Sequence, residues 1–466
     1  MPTSEAEGFA VRTFDYDRAD GRWSVPQLPN LDSPRTLVLA FGASAFLDQP
    51  NALVELASAY PRSVVVGCST AGEVHGTVVR DDSLAVTVTR FERTDLEQAS
   101  MEVSGPEQSY LAGQTLARKL LAGKPGLRGV LVLSDGLAVN GSELVRGLNS
   151  VFDETIVVTG GLSGDGTSFA RTWVSVGASL RRNVVAAVGF YGDHVVIGHA
   201  SKGGWDKFGP ERVVTRAEGN VLYELDGKPA LALYKEYLGE KARDLPASGL
   251  LFPLSLRASA NDEKVLVRTI LAVDHERSSL TFAGDIPKGA LAQLMKADFD
   301  RLIGGASLAG AMSSETQATD VSEEALVVAI SCVGRRLVLG DRTEEEVEAV
   351  RDALAPTLRP HITGFYSYGE ISPYATGHCD LHNQTMTLTT FRESRLPLPR
   401  PVAGGGERRP HRAPLLRYAP VHQRRLRRCR NTSPLERPLR LRTRASSNVR
   451  RARACSQPRR VRAERR

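Results

Sequence analysis

The stretch GCSTAGEV at Gly67–Val74 decides the fold, because it closes a unit that the chain repeats. Ahead of it run a short apolar strand (Thr36 to Ala40), a connection, a helix and a second strand (Val64 to Val66). The helix Asn51 to Tyr60 puts Ala52, Leu53, Leu56, Ala57 and Tyr60 on one face, the 3.6-residue period of an amphipathic helix. After the glycine motif, Leu84 to Arg90 alternates apolar with polar or small residues, as a strand with one exposed face does.

The same order returns at Gly129 to Leu133 (strand), Ser142 to Phe152 (helix) and Ile156 to Val158 (strand), followed by GGLSGDG at Gly160–Gly166. Strands at Thr172 to Val176, Asn183 to Phe190 and His194 to His199 come next. A third occurrence begins at Ala325 to Cys332 and continues into a helix opened by a capping box, Thr343 with Glu346, with Val347, Val350 and Leu354 inward. It ends in GFYSYGEI, where Gly364, Ser367, Gly369, Glu370 and Ile371 fall on Gly67, Thr70, Gly72, Glu73 and Val74. A partial fourth copy is expected where Val265 to Val273 precedes SLTFAGDIP, whose Gly284, Asp285 and Ile286 keep the order of glycine, acid and β-branched residue. In each motif the glycine before the acid is expected to allow a positive-φ turn whose N–H groups the acid accepts.

Duplication of one strand-helix-strand-turn-strand unit predicts a mixed α/β fold, with mixed sheets flanked by helices, in two domains. The boundaries expected are an N-terminal extension over 1–34, a first domain over 35–215, a second over 216–393 and a tail over 394–466. Between the domains, Lys202 to Asn220 is rich in Gly and charge and reads as a loop, the candidate moving element. It leads to a strand at Val221 to Leu225 and a helix with Pro229 at its first position and Gly239 just past its end.

The tail from Ser394 holds 23 Arg, no Lys and three Glu, which leaves 37 basic and 50 acidic residues in the body. An acidic protein thus carries a basic appendage. The tail lacks Ile, Phe, Trp, Met and Asp, so disorder is expected. Two readings of it stay open: translation of a GC-rich gene out of frame, and an arm that binds nucleic acid nonspecifically through its charge. Specific nucleic-acid recognition is not expected, since Tyr418 is its only aromatic residue. Elsewhere the chain shows no apolar stretch near the roughly 20 residues that span a bilayer, and its first ten residues carry acids where a signal peptide carries base. Three cysteines in the body (Cys68, Cys332 and Cys379) fit a reducing compartment, so a cytoplasmic location is expected.

The ordered series GCSTAGEV, DDSLAVTV at Asp81, DGLAVNGSEL at Asp135, GGLSGDG, SKGGWDKFG at Ser201, EGNVLYELDGKPALALYKEYLG at Glu218, VRTILAVD at Val267, GFYSYGEISP and LHNQTMTLTT at Leu381 resembles the FIST proteins. These are sensory signal-transduction proteins with an N-terminal and a C-terminal FIST domain. The resemblance covers about Arg35 to Phe391 and implies ligand sensing rather than catalysis, with amino acids among the ligands expected. It also implies an output partner of histidine kinase, cyclic dinucleotide enzyme or chemoreceptor type. No kinase or cyclase motif follows Phe391, so the output is expected in trans, or the tail stands in place of a partner sequence.

An amino-acid ligand needs an anion for its ammonium and an Arg or a helix N-terminus for its carboxylate. The glycine motifs are the expected pocket walls. They offer Ser69, Thr70 and Glu73 from the first copy, Ser163 and Asp165 from the second, and Tyr366, Tyr368 and Glu370 from the third. Arg268 is the candidate cation. The segment GHCDLHN (Gly377–Asn383) gathers His378, Cys379, Asp380 and His382. A metal-assisted or Cys-dependent hydrolase using Cys379 and His382 is the alternative, although neither spacing is a strong signature. The preferred reading is a polar loop in which His382 and Asn383 bond backbone groups or ligand. No cofactor, catalytic residue or metal ligand is expected, and the absence of GxxxxGK[ST] argues against a nucleotide.

Overall fold

The computed structural model describes residues 8–399 apart from 263, 317 and 375–376. Three units follow one plan. In the first, Thr36–Gly42 pairs in parallel with Val64–Ser69 across the helix Asn51–Ala59, and antiparallel with Ser83–Arg90. In the second, Leu127–Ser134 pairs in the same way with Val157–Leu162 across Gly141–Asn149, and with Val184–Tyr191. In the third, Glu324–Cys332 pairs with Arg359–Ser367 across two helices, Val333–Leu339 and Thr343–Ala353, and with Met386–Glu393.

The strand that follows each glycine motif leaves its own unit and completes the sheet of another. Glu73–His75 of the first unit pairs with Arg359–Ser367 of the third, Val174–Val176 of the second with Val64–Ser69 of the first, and Gly369–Pro373 of the third with Val157–Leu162 of the second. The exchange is cyclic, and its register is the same at each crossing. Val74 lies opposite Gly364, Ser175 opposite Gly67 and Ile371 opposite Gly160. Glu73, Val174 and Glu370 therefore occupy equivalent positions, as do Gly72, Trp173 and Gly369 before them.

The register also explains the first glycine of each motif. A Cβ on Gly67, Gly160 or Gly364 would stand 2.0, 1.9 or 1.7 Å from the carbonyl oxygen of Ala40, Val132 or Ala329 on the parallel neighbour. These glycines sit inside strands and are required by close approach of a second backbone. Of the glycines before the acids, Gly72 and Gly284 take the expected positive φ, +133° and +142°, and Gly369 does not.

Both faces of the unit sheets are covered, so their strands read as continuous apolar runs. Leu37, Leu39 and Phe41, Leu131 and Leu133, and Leu326, Val328 and Ile330 meet in one shared core. The residues between them face the helices: Val38 and Ala40 lie with Leu53 and Leu56, Val130 and Val132 with Leu144 and Leu148, and Val327 and Ala329 with Val347 and Val350. Each fully buried aliphatic chain of this kind contributes about 1.5–3 kcal/mol.

Several expectations are corrected. The region proposed as a fourth copy belongs to an eight-stranded sheet in which every pairing is antiparallel, so it lacks the parallel strand-helix-strand core. The segment read as the loop Lys202 to Asn220 is largely the strand Trp205–Glu218, paired with Leu291–Ala297 and Val221–Leu225, and Arg216 lies within it. Its charges mark solvent-facing positions of a strand. The capping box is not made either: Arg342 precedes the helix Thr343–Ala353 without a side-chain cap, and Glu346 turns into the core. Within the N-terminal extension, Ala10–Asp17 is an integral strand, paired along eight residues with Ser83–Arg90. The start of the tail is tied down as well, since the Ser394 and Leu398 N–H groups donate to His194 and Asp193 carbonyls at 2.8 and 2.6 Å. The remainder of the tail lies outside the described residues. Among those described, no helix is long and apolar enough to cross a membrane.

Candidate functional site in a cleft between units

The two glutamates that follow the glycine motifs build the same constellation in two places. Glu73 accepts from the Thr70 hydroxyl with one oxygen, and with the other from the Ser83 N–H and hydroxyl at 3.1 and 2.9 Å. Glu370 accepts from the Ser367 hydroxyl at 2.7 Å, and from the Thr385 N–H and hydroxyl at 3.2 and 2.9 Å. Each carboxyl thus fastens the turn after a second strand to the start of a last strand. Burial pushes both upward, Glu73 to about 7 and Glu370 to about 8, against the downward pull of those hydrogen bonds.

All of the residues expected to meet a ligand are at most 8% exposed, and most have partners inside the protein. The Ser69 hydroxyl accepts from Trp173 N–H, and that of Ser163 from Gly136 N–H, both at 3.0 Å. Asp165 accepts from the Ala170 and Arg171 N–H groups at 2.8 Å and from the Tyr368 hydroxyl. Tyr366 donates to Glu346 at 2.9 Å. Arg268 donates to the carbonyls of Asp285, Val267 and Leu381 at 3.1, 3.1 and 3.0 Å, and burial lowers it to about 10. It ties the strand Cys379–His382 to the eight-stranded sheet and is not a free cation. Asn383 differs from the others: it is fully buried, and neither atom of its amide has a partner among the described residues.

The Cys379 and His382 pair is not assembled. Cys379 Sγ donates to Asn149 Oδ1 at 3.2 Å, while His382 Nε2 bonds the Ser372 carbonyl at 2.9 Å. Burial raises the thiol far above its usual value and lowers the imidazole to about 4. The two groups therefore stand as neutral thiol and neutral imidazole, with separate partners. GHCDLHN contains a strand, Cys379–His382, rather than a loop. No group of three or more metal-ligating side chains occurs among the described residues.

A cleft of about 530 Å³ opens beside this buried layer. Ala71, Val79 and Asp81 line it from the first unit, Gly166 and Thr167 from the second, and the segment from Val333 to Glu344 from the third. The glycine motifs thus supply walls through Ala71 and Gly166, neighbours of the polar residues singled out in the sequence. The charged centre is Arg336, which sequence reasoning missed. Its guanidinium lies over the Tyr366 ring at 5.7 Å and donates to the Ala71 carbonyl at 2.6 Å. It also forms a two-pronged bond to Asp81, at 2.7 Å for each prong, which raises its pKa further. A Cβ on Gly72, whose φ is +133°, would stand 2.6 Å from Arg336 Nη1. The glycine clears the space the guanidinium occupies.

The adjacent Arg335 points the other way. It is fully buried and donates to Glu346 Oε1 at 2.6 Å and to the Gly203 and Leu302 carbonyls at 2.7 and 2.9 Å. Glu346 also accepts from Ser331 and Tyr366. The available signal was the arginine pair in CVGRRLVLG: two charges inside an apolar run need two distinct polar destinations.

Comparison with known proteins agrees with the motif series. Residues 36–228 match the FIST N domain and residues 230–373 the FIST C domain. An uncharacterized protein of Methanocaldococcus jannaschii is 24% identical over 352 residues, 66% of this chain, and the chain spans 64% of that relative's length. Among solved structures, a chorismatase aligns at 9% identity over 83% of this chain and 98% of its own, with a TM-score of 0.33. The two matched domains together cover most of the chain, which therefore belongs to the FIST family, whose N and C domains are sensory domains of signalling proteins.

Proposed function

We propose that the cleft around Arg336 binds a small polar molecule, an amino acid being the class first to test, and that its occupancy is relayed to a signalling partner in trans. That partner is a histidine kinase, a cyclic dinucleotide enzyme or a chemoreceptor-type protein, and the chain works in the cytoplasm without catalysing a reaction. One observation carries this reading: the cleft takes its walls from all three units, so a molecule held there touches each of them. A ligand shifts packing only by binding one arrangement more tightly than another, and a site shared by three bodies meets that requirement. The helix Val333–Leu339 is the relay, with Arg336 facing the cleft and Arg335 clamped in the core.

The test is a thermal-shift screen of the full chain against amino acids, small carboxylates and nucleotides, repeated with Leu337→Trp, which fills the cleft from its exposed apolar wall. A selective rise that Leu337→Trp abolishes is the expected result. A rise that Leu337→Trp leaves intact puts the ligand elsewhere and sinks the assignment.

A further inference from the structure

We infer that the cleft recognises its ligand through a carboxylate that displaces Asp81 from the Arg336 fork, so that Asp81 is a resident stand-in for the ligand's own anion. This deepens the sensor reading and rests on it. The two partners of the ion pair are held very differently. Arg336 is 22% exposed and fixed by contacts that no ligand needs to break: the Tyr366 ring beneath it, the Ala71 carbonyl and the space cleared by Gly72. The Asp81 side chain is 70% exposed, and its only bonded partner among the described residues is Arg336. A guanidinium already oriented costs little to re-pair, whereas an exposed carboxylate that swings into water recovers its hydration. Surface ion pairs of this kind contribute a factor of about five or less, so a ligand carboxylate needs only a modest advantage to take the fork.

The remaining charges limit what the rest of the ligand is. Asp341 and Glu344 also line the cleft. Glu344 accepts the Val79 N–H at 3.2 Å, and Asp341 has no partner among the described residues. With Asp81 displaced, one fixed cation faces two acids, an arrangement that repels a dianion and suits a carboxylate joined to an ammonium. Val333, Leu337 and Val79 complete an apolar wall for the part between. The ligand class is a small zwitterion, with its carboxylate on Arg336 and its amino group toward Asp341.

The experiment uses the full chain and three probes at constant ionic strength: acetate, glycine and methylammonium chloride. Melting temperature is followed against probe concentration for wild type, Asp81→Asn, and Asp81→Asn combined with Arg336→Gln. Freeing the fork should lower the half-saturation concentration for acetate and glycine two- to fivefold in Asp81→Asn, with glycine the tighter of the two. The Arg336→Gln combination should remove the saturable rise, and methylammonium should give none in any protein. Arg336→Lys, which keeps charge but not the fork, should recover less than half of the acetate response and guards against a folding defect. Equal half-points in all proteins, or no saturable rise in Asp81→Asn, would overturn the inference. If Leu337→Trp abolishes a screen hit that the Arg336 variants leave untouched, the cleft stands as the site and the carboxylate assignment fails. If Leu337→Trp leaves a screen hit intact, the ligand sits elsewhere and the assignment of the cleft itself fails.

Discussion

The crossing at Gly72 and the crossing at Trp173 are equivalent in register and opposite in use. At Gly72 the missing side chain leaves room for an arginine from the neighbouring unit, and a cleft opens beside it. At Trp173 an indole fills that space, fully buried, its N–H donating to the Ala43 carbonyl at 3.1 Å. The acid after the glycine differs in step: Glu73 follows Gly72, while Val174 follows Trp173. The third crossing, at Gly369, is closed by Leu381, whose Cδ1 lies 3.0 Å from where a Cβ would stand. One repeated framework thus offers three equivalent junctions, and single side chains decide which of them is a site and which is core.

The largest effect is expected from emptying the plugged junction. Trp173→Gly removes a fully buried indole and should cost about 3–5 kcal/mol in denaturant unfolding, the range for large-to-small aromatic deletions. A loss below about 1 kcal/mol would mean that Trp173 does not fill the space assigned to it. The reverse change, Gly72→Ala, introduces a Cβ against Arg336 at a φ of +133° and should cost about 1–3 kcal/mol. It should also abolish the acetate response, which separates displacement of the guanidinium from simple backbone strain.

A further effect, about 1.4 kcal/mol for each pH unit between the unfolded and folded values, distinguishes the two glutamates by pH. Both carboxyls have folded values raised above the unfolded 4.5, so each contributes stability fully present below about pH 4.5 and lost as pH rises through the folded value. Relative to Glu→Gln variants, the wild-type protein should lose stability with rising pH. The gap should stop moving near pH 7 for Glu73→Gln and near pH 8 for Glu370→Gln, read from melting temperature across pH 5–9. Gaps independent of pH would show that neither group is raised. The smallest change is Asp81→Ala, whose carboxylate is 70% exposed and which should alter stability by no more than about 0.5 kcal/mol.

Much of this arrangement was legible in the residues. The three apolar first strands, the helices at Asn51 and Gly141, and the matched glycines and acids of GCSTAGEV and GFYSYGEI are local patterns, and local patterns report local structure. The cyclic exchange was not legible, because the destination of Glu73–His75 lies almost 300 residues away on Arg359–Ser367 and depends on topology rather than on any periodicity. The strand Trp205–Glu218 was missed because its exposed positions carry the charge and glycine that also mark loops. The site residues were missed by a step. Polar side chains in the motifs drew attention, yet Thr70, Glu73 and Glu370 use their polarity to close the fold, and the cleft is walled by the small residues beside them.

The exchange of strands also sets a timetable for folding. Val157–Leu162, made early in synthesis, finds its outer neighbour only when Gly369–Pro373 has emerged, and Glu73–His75, paired on one side with Val78–Arg80, keeps its other edge open for Arg359–Ser367. The two edges therefore stay bare while some 200 and almost 300 residues, respectively, are added, a period in which they can pair with other nascent chains. Cutting the chain between the FIST N and C domains would make that temporary exposure permanent, so neither half is expected to survive alone as a monomer.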